Sequence, residues 1–424
     1  MPLRKTVPFE KTVLRACLLA TLCLWPGPAI SAEGESEHVR LVPDSTLSLG
    51  DVIEAAANQA PDRLMAAARE TTSRAYAKHA GSLFADSPQL SVSHQNDFLL
   101  SDQGLREWEG RLELPLWIPG EKSAYQNRAR TAENEARAYR DRMIWNVARE
   151  VRELVWQVKL AEAALEESRK GLEMAEKLLH DVERRIASGD LPRNSLILAR
   201  QEVAARKIAL KGAERDYVDS AVAYQSYTGL EAIPAEINEF PQEVEDAYAV
   251  PPVLHARRLV EYYRAEYNAV RQSWSRSPTL SLGVKRERGG FDDRSVDSVS
   301  LGISIPLGSG AHTAPKRAEA AARLAEAERQ KERALRAQKI ALHEAGHELE
   351  VCLIQQKISR EHHDMARENL QLAQRAFDLG ESDLMDLLRV QDQYVRSSTA
   401  HTRQQLECGR AIARHNQTKG LLPE

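Results

Sequence analysis

The sequence has few aromatic and glycine residues for its length. Of its 424 residues, 5% are aromatic and 21 are glycine, whereas alanine, leucine, glutamate and arginine are abundant. That composition is typical of long helices and coiled coils rather than of a mixed α/β enzyme. The net charge of −4 argues against a general nucleic-acid binder.

Long apolar runs are also missing after the N-terminal region. Residues 1–32 are predicted to be a secretory signal peptide, because a basic start precedes a short apolar stretch, Ala16 to Trp25, and small residues offer cleavage after Ser31 or Ala32. No later run is long enough for a transmembrane helix. If the mature protein crosses a membrane, it must therefore do so with β-strands.

Four short segments alternate apolar and polar residues with the period of a β-strand. They begin near Leu90, Trp108, Leu280 and Val299. The pattern fits a soluble sheet with one buried face, and it equally fits a membrane barrel with lipid outside and a wet lumen. Since a closed barrel needs about eight strands or more, a barrel would require several copies of the chain.

Between the strand pairs the sequence predicts long helical hairpins. Residues 121–188 and 312–379 form the long arms, and the returning arms cover about 194–227 and 384–419. An arm of about 68 residues is roughly 100 Å long at ~1.5 Å per residue, and a returning arm is half that. The shorter helices predicted at 47–83 and 253–275 should therefore pack beside the upper halves. The proline-rich segment 229–250 and both chain ends should form a belt at mid-height.

One arm carries a coiled-coil repeat. Leu165, Leu172, Leu179 and Ile186 recur every seven residues, and Ala161, Ala175 and Val182 fill the second seam position, which predicts a coiled-coil seam along one face of the helix.

Two glycines mark the hairpin tips. Gly189 and Gly380 stand where a helix C-cap requires a left-handed residue, and they lie 191 residues apart. The same offset relates Pro115 to Pro306, which indicates an internal duplication. The predicted division is a signal peptide at 1–32, a first repeat at 33–230, an equatorial linker at 231–250 and a second repeat at 251–424.

These features resemble the TolC-like outer-membrane factor family over nearly the whole mature chain. Leu47 to Pro61 is similar to that family's first helix, the strand pairs ending in Leu-Pro-Leu and Ile-Pro-Leu are similar to its membrane hairpins, and the glycine tips are its most specific pattern. The resemblance implies a mainly α fold with a β membrane part. Duplicated helical hairpins would form an α-barrel, and four strands per chain would contribute to a trimeric 12-stranded transmembrane barrel.

The resemblance implies a passive channel with no catalytic chemistry and no cofactor. It would lie in the outer membrane with its helices in the periplasm, and would export substrates delivered by an inner-membrane pump, RND type favoured, through a periplasmic adaptor. The length resembles the outer-membrane components of cobalt–zinc–cadmium systems, which makes metal cations a candidate cargo. The adaptor would contact the tips at Gly189, Asp190, Leu191, Gly380, Glu381 and Ser382.

A gate is implied by the same resemblance. The family closes its tunnel with aspartates in a Leu-Asp-x-Leu-Asp pattern on the returning helix; Asp386 matches the first aspartate, and Arg389 departs from the second. A ring of Asp386 side chains would favour cations, and Arg389 would partly neutralise it. The first repeat has the uncharged Ser195 and Leu198 at these positions. Asp386 as an ordinary helix-surface acid remains an open alternative.

A competing motif is the His343-Glu344-x-x-His347 sequence. On a helix this spacing is typical of zinc metallohydrolases. Here it lies in an uninterrupted rod-like helix, and the first repeat has Arg152 and Trp156 in place of the histidines. Three alternatives to a plain channel stay open: a zinc hydrolase, a periplasmic coiled-coil structural protein, and transient metal binding by His343, His347, His362 and His363.

Only two cysteines follow the predicted signal peptide. Cys352 and Cys408 lie 28 residues on either side of Gly380, which puts them at the same height on the two arms of the hairpin. The periplasm permits disulfides, but a bridge also requires Cα atoms within about 7 Å. The spacing allows a disulfide without requiring one.

Overall fold

The computed structural model describes residues 40–237, 239–307 and 310–423. The predicted signal peptide lies outside the described residues. The elements in chain order are β1 (Val42–Asp44), α1 (Leu49–Gln59), α2 (Asp62–Gly81), β2 (Gln89–Asn96), β3 (Arg106–Pro115), α3 (Glu121–Ser188), α4 (Asn194–Thr228), β4 (Ala232–Pro234), α5 (Pro251–Gln272), β5 (Thr279–Arg288), β6 (Val296–Ser304), α6 (Gly310–Asp378) and α7 (Leu384–Thr418).

The two long helices set the architecture. α3 has 68 residues and α6 has 69, so each is roughly 100 Å long at ~1.5 Å per residue. α3 packs against α2 and α5 in its upper half and against α4 and α7 in its lower half, and α6 packs against α5 and α7. The chain is thus a layer of four columns: α2 with α4, then α3, then α5 with α7, and finally α6.

The first column begins with two short helices rather than one. Ser48 caps α1, because its hydroxyl accepts a hydrogen bond from the Asp51 amide at 3.1 Å while the Asp51 carboxylate accepts one from the Ser48 amide at 2.9 Å. The expected break falls at Pro61, with α1 ending at Gln59 and α2 beginning at Asp62.

The largest apolar core lies at mid-height. The middle of α3 contributes Val151 and Val155, and Tyr224 of α4 and Ile233 of the linker pack against them. β1 and β4 pair in parallel beside this core. No local pattern predicts that pairing, because both strands have three residues and β4 ends at a proline.

Polar contacts fasten the linker and the C-terminal end to the same height. The buried Arg152 of α3 donates hydrogen bonds to both carboxylate oxygens of Glu239, at 2.9 and 2.8 Å, and one to the Leu421 carbonyl at 3.0 Å. Asn416 of α7 donates to the Phe240 carbonyl at 2.9 Å. The linker and the C-terminal end therefore lie at mid-height, as the helix lengths predicted. The ion pair of Arg152 with Glu239 holds the linker there, and the helix lengths did not indicate that pair.

The predicted seam of α3 is confirmed in part. Leu165, Ala175 and Val182 are buried as expected, and Glu167, Gly171 and Leu178 are buried beside them. Leu172, Leu179 and Ile186 are only half-buried. The additional buried positions follow from the packing, since the lower half of α3 lies between α4 and α7 and its contact surface is wider than a two-helix seam.

The four longer strands form one antiparallel sheet in the order β2-β3-β5-β6. None of the helices in the described part of the chain is long and apolar enough to cross a membrane.

Candidate functional site

The sheet has one apolar face that the chain leaves uncovered. Its strands are in register so that apolar residues form rows across all four. One row is Leu90, Leu112, Leu282 and Leu301, and the next is Val92, Gly110, Val284 and Val299. Every leucine and valine in these rows is solvent-exposed in the single chain. The opposite face carries Glu109, Arg111 and Lys285, so the two faces differ sharply in polarity.

The apolar face ends in an amphipathic row. His94 stacks on Trp108 with ring centroids 4.2 Å apart, and Arg286 pairs with Asp297 at 2.6 Å beside them. Tryptophan and charged groups at the end of an apolar band are typical of a boundary between an apolar and an aqueous phase.

At the other end of the molecule, both hairpin tips close in the same way. Gly189 and Gly380 have φ of 85° and 76°, in the left-handed region. The amides of Gly189 and Asp190 bond to the carbonyls of Ile186 and Arg185, at 3.1 and 2.8 Å, and Gly380 and Glu381 repeat the pattern. These are two Schellman motifs, which glycine permits at no steric cost.

The predicted adaptor-contact residues divide between surface and core. Gly189, Asp190, Gly380 and Glu381 are exposed, whereas Ser382 is half-buried. Leu191 packs against the apolar cluster that joins the four helices at the tips: Leu178, Val182, Ala199, Phe377, Leu384 and Leu387.

Arg185 links the two tips. It donates hydrogen bonds to the Phe377 carbonyl at 3.0 Å and to the Asp378 carboxylate at 2.7 Å, and its guanidinium lies 4.6 Å from the Phe377 ring centroid. Sequence reasoning missed this residue, because its partners lie about 190 positions away and no local pattern indicates them.

Asp386 and Arg389 lie on the exposed side of the first turns of α7. Asp383 caps the helix by accepting a hydrogen bond from the Asp386 amide at 2.8 Å. Arg389 donates to Asp386 at 3.3 Å, with side-chain exposures of 78% and 59%. Arg389 is therefore close enough to Asp386 of the same chain to neutralise part of its charge, as expected. The role of the pair as a gate stays a prediction.

The His343-Glu344-x-x-His347 motif lies on one face of α6, with the two imidazole centroids 6.2 Å apart. Within the described residues, no three His, Cys, Asp or Glu side chains are grouped so that they could hold a metal ion. Glu344 instead lines a groove with Arg149, Glu153 and Arg414. The geometry does not favour a hydrolytic zinc centre.

Cys352 and Cys408 face each other across the α6–α7 hairpin. They are buried together with Ala411, their Cα atoms are 5.5 Å apart, and the structure joins them by a disulfide. That separation lies within the range of ordinary bridges.

The two outer columns expose apolar residues that no part of the described chain covers. On α6, Ile358, Met365 and Leu372 recur every seven residues, and on α4, Ile197 and Ile208 lie on the free edge. A seven-residue apolar repeat is typical of a helix that packs against another helix. This signal was present in the sequence and was overlooked.

Comparisons with solved structures identify the fold. The outer membrane protein VceC of Vibrio cholerae is 17% identical, covering 88% of this chain and 96% of its own, with a TM-score of 0.69. The CmeC outer membrane channel of Campylobacter jejuni is 12% identical over 88% and 85%, with a TM-score of 0.70. The open state of the MtrE outer membrane channel of Neisseria gonorrhoeae is 16% identical over 90% of each chain, with a TM-score of 0.69.

No protein-family model and no curated protein matches the sequence. The matches to solved structures show that the chain has the fold of outer-membrane channel proteins, mainly helical with few strands. Within that class it has the TolC-like arrangement that the glycine tips led us to expect.

Proposed function

We propose that this chain is the outer-membrane channel of a tripartite efflux system. It passively exports substrates that an inner-membrane pump delivers through a periplasmic adaptor. The observation that carries the proposal is the four-stranded sheet with an uncovered apolar face, joined to a helical layer roughly 100 Å long by helix rise. An apolar face of this kind is stable against lipid, and the helical layer has the length to extend far into the periplasm.

Assembly as a homotrimer is supported by the free edges of the layer. The exposed stripe on α6 and the exposed isoleucines on α4 are different surfaces at opposite edges, which is the arrangement for a heterologous interface that closes into a ring. Three copies supply twelve strands, more than the about eight needed for a closed barrel, and twelve helical columns.

The exposed hairpin tips support the proposed partners. The exposed backbone of the Schellman turns at Gly189 and Gly380 offers a contact surface to an adaptor, and Arg185 holds the two turns together. We propose an RND-type pump behind that adaptor, with metal cations as one candidate cargo. Asp386 and Arg389 are the proposed gate residues.

The experiment compares charge on the two faces of the sheet. Leu301→Asp places a carboxylate on the apolar face, and Ser300→Asp places one on the adjacent position of the polar face. A charge at mid-bilayer depth on a lipid-facing strand costs about 2–4 kcal/mol for a basic residue and less for an acid. We expect the wild type and Ser300→Asp to form heat-modifiable, SDS-resistant trimers in the outer-membrane fraction that conduct ions in planar bilayers, and Leu301→Asp to be depleted.

Two outcomes would contradict the proposal. Equal tolerance of both substitutions would mean that the apolar face does not meet lipid. Fractionation of the wild type as a soluble monomer would favour a periplasmic coiled-coil protein.

A further inference from the structure

Two arginines lie side by side on the apolar face of the sheet, one row beyond its amphipathic row. Arg106 of β3 and Arg288 of β5 are directly opposite each other in the strand register. Side chains two residues apart on a strand point to the same face, so both arginines share the face of Trp108. By the strand rise of ~3.3 Å per residue, they lie about 7 Å beyond Trp108. This end of the sheet is remote from the helices, because β3 and β5 join α3 and α5 at their other ends, Pro115 and Thr279.

The opposite face of the sheet shows how this chain treats a pair of like charges. Glu107 and Glu287 are directly opposite each other in the neighbouring row, and like charges placed in this way destabilise a sheet. Lys285 bridges the two glutamates, at 3.0 Å from Glu107 and 2.6 Å from Glu287. The acidic pair is therefore neutralised within the chain.

The arginine pair is not neutralised in the same way. Within the described residues, neither Arg106 nor Arg288 forms an ion pair or a side-chain hydrogen bond. Asp297, the acid in the adjacent row of this face, already accepts two hydrogen bonds from Arg286, at 2.6 and 2.7 Å. β3 and β5 are the two inner strands of the sheet, so another copy of the chain that extended the sheet would pair with β2 or β6 instead. The counter-charge for the arginines must therefore come from outside the sheet.

A phosphate group fits the chemistry of this pair. A guanidinium presents a planar fork of donors that binds phosphate oxygens through two parallel hydrogen bonds. Residues directly opposite each other have Cβ atoms about 4.5–5.5 Å apart, so both forks can reach one phosphate group. Arg288 is half-buried and its Nε is buried without a hydrogen-bond partner in the described part of the chain. Its charge is thus only partly hydrated, which strengthens its attraction for an anion.

The depth of the pair indicates where the phosphate comes from. Tryptophan at the end of an apolar band marks the interface between the hydrocarbon and the polar headgroups of a membrane. Arg106 and Arg288 lie one row beyond Trp108, which is the level of the headgroups. A lipid bound there would lay its acyl chains along the leucine and valine rows of the same face.

We propose that Arg106 and Arg288 together bind the phosphate group of a membrane lipid in the leaflet farthest from the helices. This inference rests on the proposed function, because it requires the apolar face to meet lipid. Inorganic phosphate offers the same oxygens but no acyl chains for the apolar rows, so we expect it to bind more weakly than a phosphorylated lipid.

The test measures the binding of dioleoyl phosphatidic acid to the purified, untagged protein in detergent by native mass spectrometry. Dioleoylglycerol, which has the same chains without the phosphate, and inorganic phosphate, which has no chains, are the comparison ligands. Arg106→Gln/Arg288→Gln removes the site. The matched control is Arg137→Gln/Arg184→Gln, which removes the same charge from two exposed arginines of α3 that pair with acids of their own helix.

The wild type and the control should bind phosphatidic acid in preference to both comparison ligands. The glutamine double variant should bind it about 10- to 30-fold more weakly, since each basic residue near an anionic lipid contributes roughly a factor of five. Arg106→Lys/Arg288→Lys keeps both charges and should retain most of the binding.

Three outcomes would overturn the proposal. They are a wild type that binds dioleoylglycerol as well as phosphatidic acid, an equal loss of binding in the control and in the glutamine variant, and inorganic phosphate that binds as tightly as the lipid. SDS-resistant trimers and ion conductance are measured on the same preparations. If both are present without a preference for phosphatidic acid, this inference fails and the channel stands. If both are absent, the channel fails, and the lipid measurement still decides whether the arginine pair binds phosphate.

Discussion

Arg185, in the last turn of α3, and Asp378, the last residue of α6, form an ion pair of 2.7 Å. The pair crosses from the first repeat to the second at the hairpin tips, and the same guanidinium also donates a hydrogen bond to the Phe377 carbonyl. The two hairpins are therefore connected at their tips.

We expect Arg185→Gln to let the tips separate more easily, because it removes the ion pair and the contact with the Phe377 ring. The measurable result is a higher single-channel conductance with SDS-resistant trimers retained. Arg184→Gln is the control, since Arg184 is exposed and its ion pair is with Asp181 of its own helix. Equal conductance in the two variants would show that the cross-repeat contact does not restrict the opening.

Substitutions of Asp386 and Arg389, the exposed pair on α7, should change channel block by divalent cations in opposite directions. Asp386→Ala should weaken block by divalent cations, because it removes the acid from the proposed ring, and Arg389→Ala should strengthen it, because the arginine lies 3.3 Å from that acid. Both side chains are largely exposed, so we expect stability changes within about 0.5 kcal/mol. Single-channel recordings with and without added divalent cations measure the effect. Unchanged conductance and block in Asp386→Ala would remove the gate assignment.

Much of this fold was predictable because its signals are local. Proline, glycine and period changes gave the bounds of α3 to the residue, both glycine tips and the four longer strands. The β1–β4 pairing was not predictable, since six residues in two distant segments carry no periodicity. The buried surface of α3 is wider than the predicted seam, because a seven-residue pattern cannot reveal that two helices, rather than one, pack against that part of the helix.

The site divides in the same way. Asp386 and the tip glycines could be named from spacing within one helix end. Arg185 and the charged belt at Arg152 depend on contacts between segments far apart in sequence. Such contacts follow only from the three-dimensional arrangement.

The disulfide between Cys352 and Cys408 should stabilise the second hairpin. They are 56 residues apart in sequence with Cα atoms 5.5 Å apart. Closing a loop of that length restricts the unfolded chain by about 4 kcal/mol in the chain-entropy model. Thiol titration of the mature protein under denaturing, non-reducing conditions should find no free thiol, and reduction should lower the midpoint of thermal unfolding. Cys352→Ala/Cys408→Ala is the control, because its midpoint should not respond to reductant. Two free thiols per chain would contradict the disulfide.

Glu153 predicts a pH dependence of stability at mid-height. Burial opposes its ionisation, but Arg410 and Arg414 of α7 outweigh burial and hold the pKa of the carboxyl below its ordinary value of 4.5. Because the folded-state pKa is lowered, Glu153 contributes stability that is fully present above the unfolded pKa and is lost as pH falls through the folded pKa.

We therefore expect the thermal unfolding midpoint of Glu153→Gln to lie below that of the wild type at pH 6–7, and the difference to shrink as the pH is lowered below about 4.5. Glu166→Gln is the control, since Glu166 and its partner Arg169 are 3.8 Å apart and more than half exposed. An exposed pair of this kind contributes little at any pH. A difference for Glu153→Gln that stayed constant from pH 7 to pH 3 would mean that the residue acts through packing rather than charge. In that case the ion pairs of Glu153 with Arg410 and Arg414 would not be the interaction that holds α7 against α3 at mid-height.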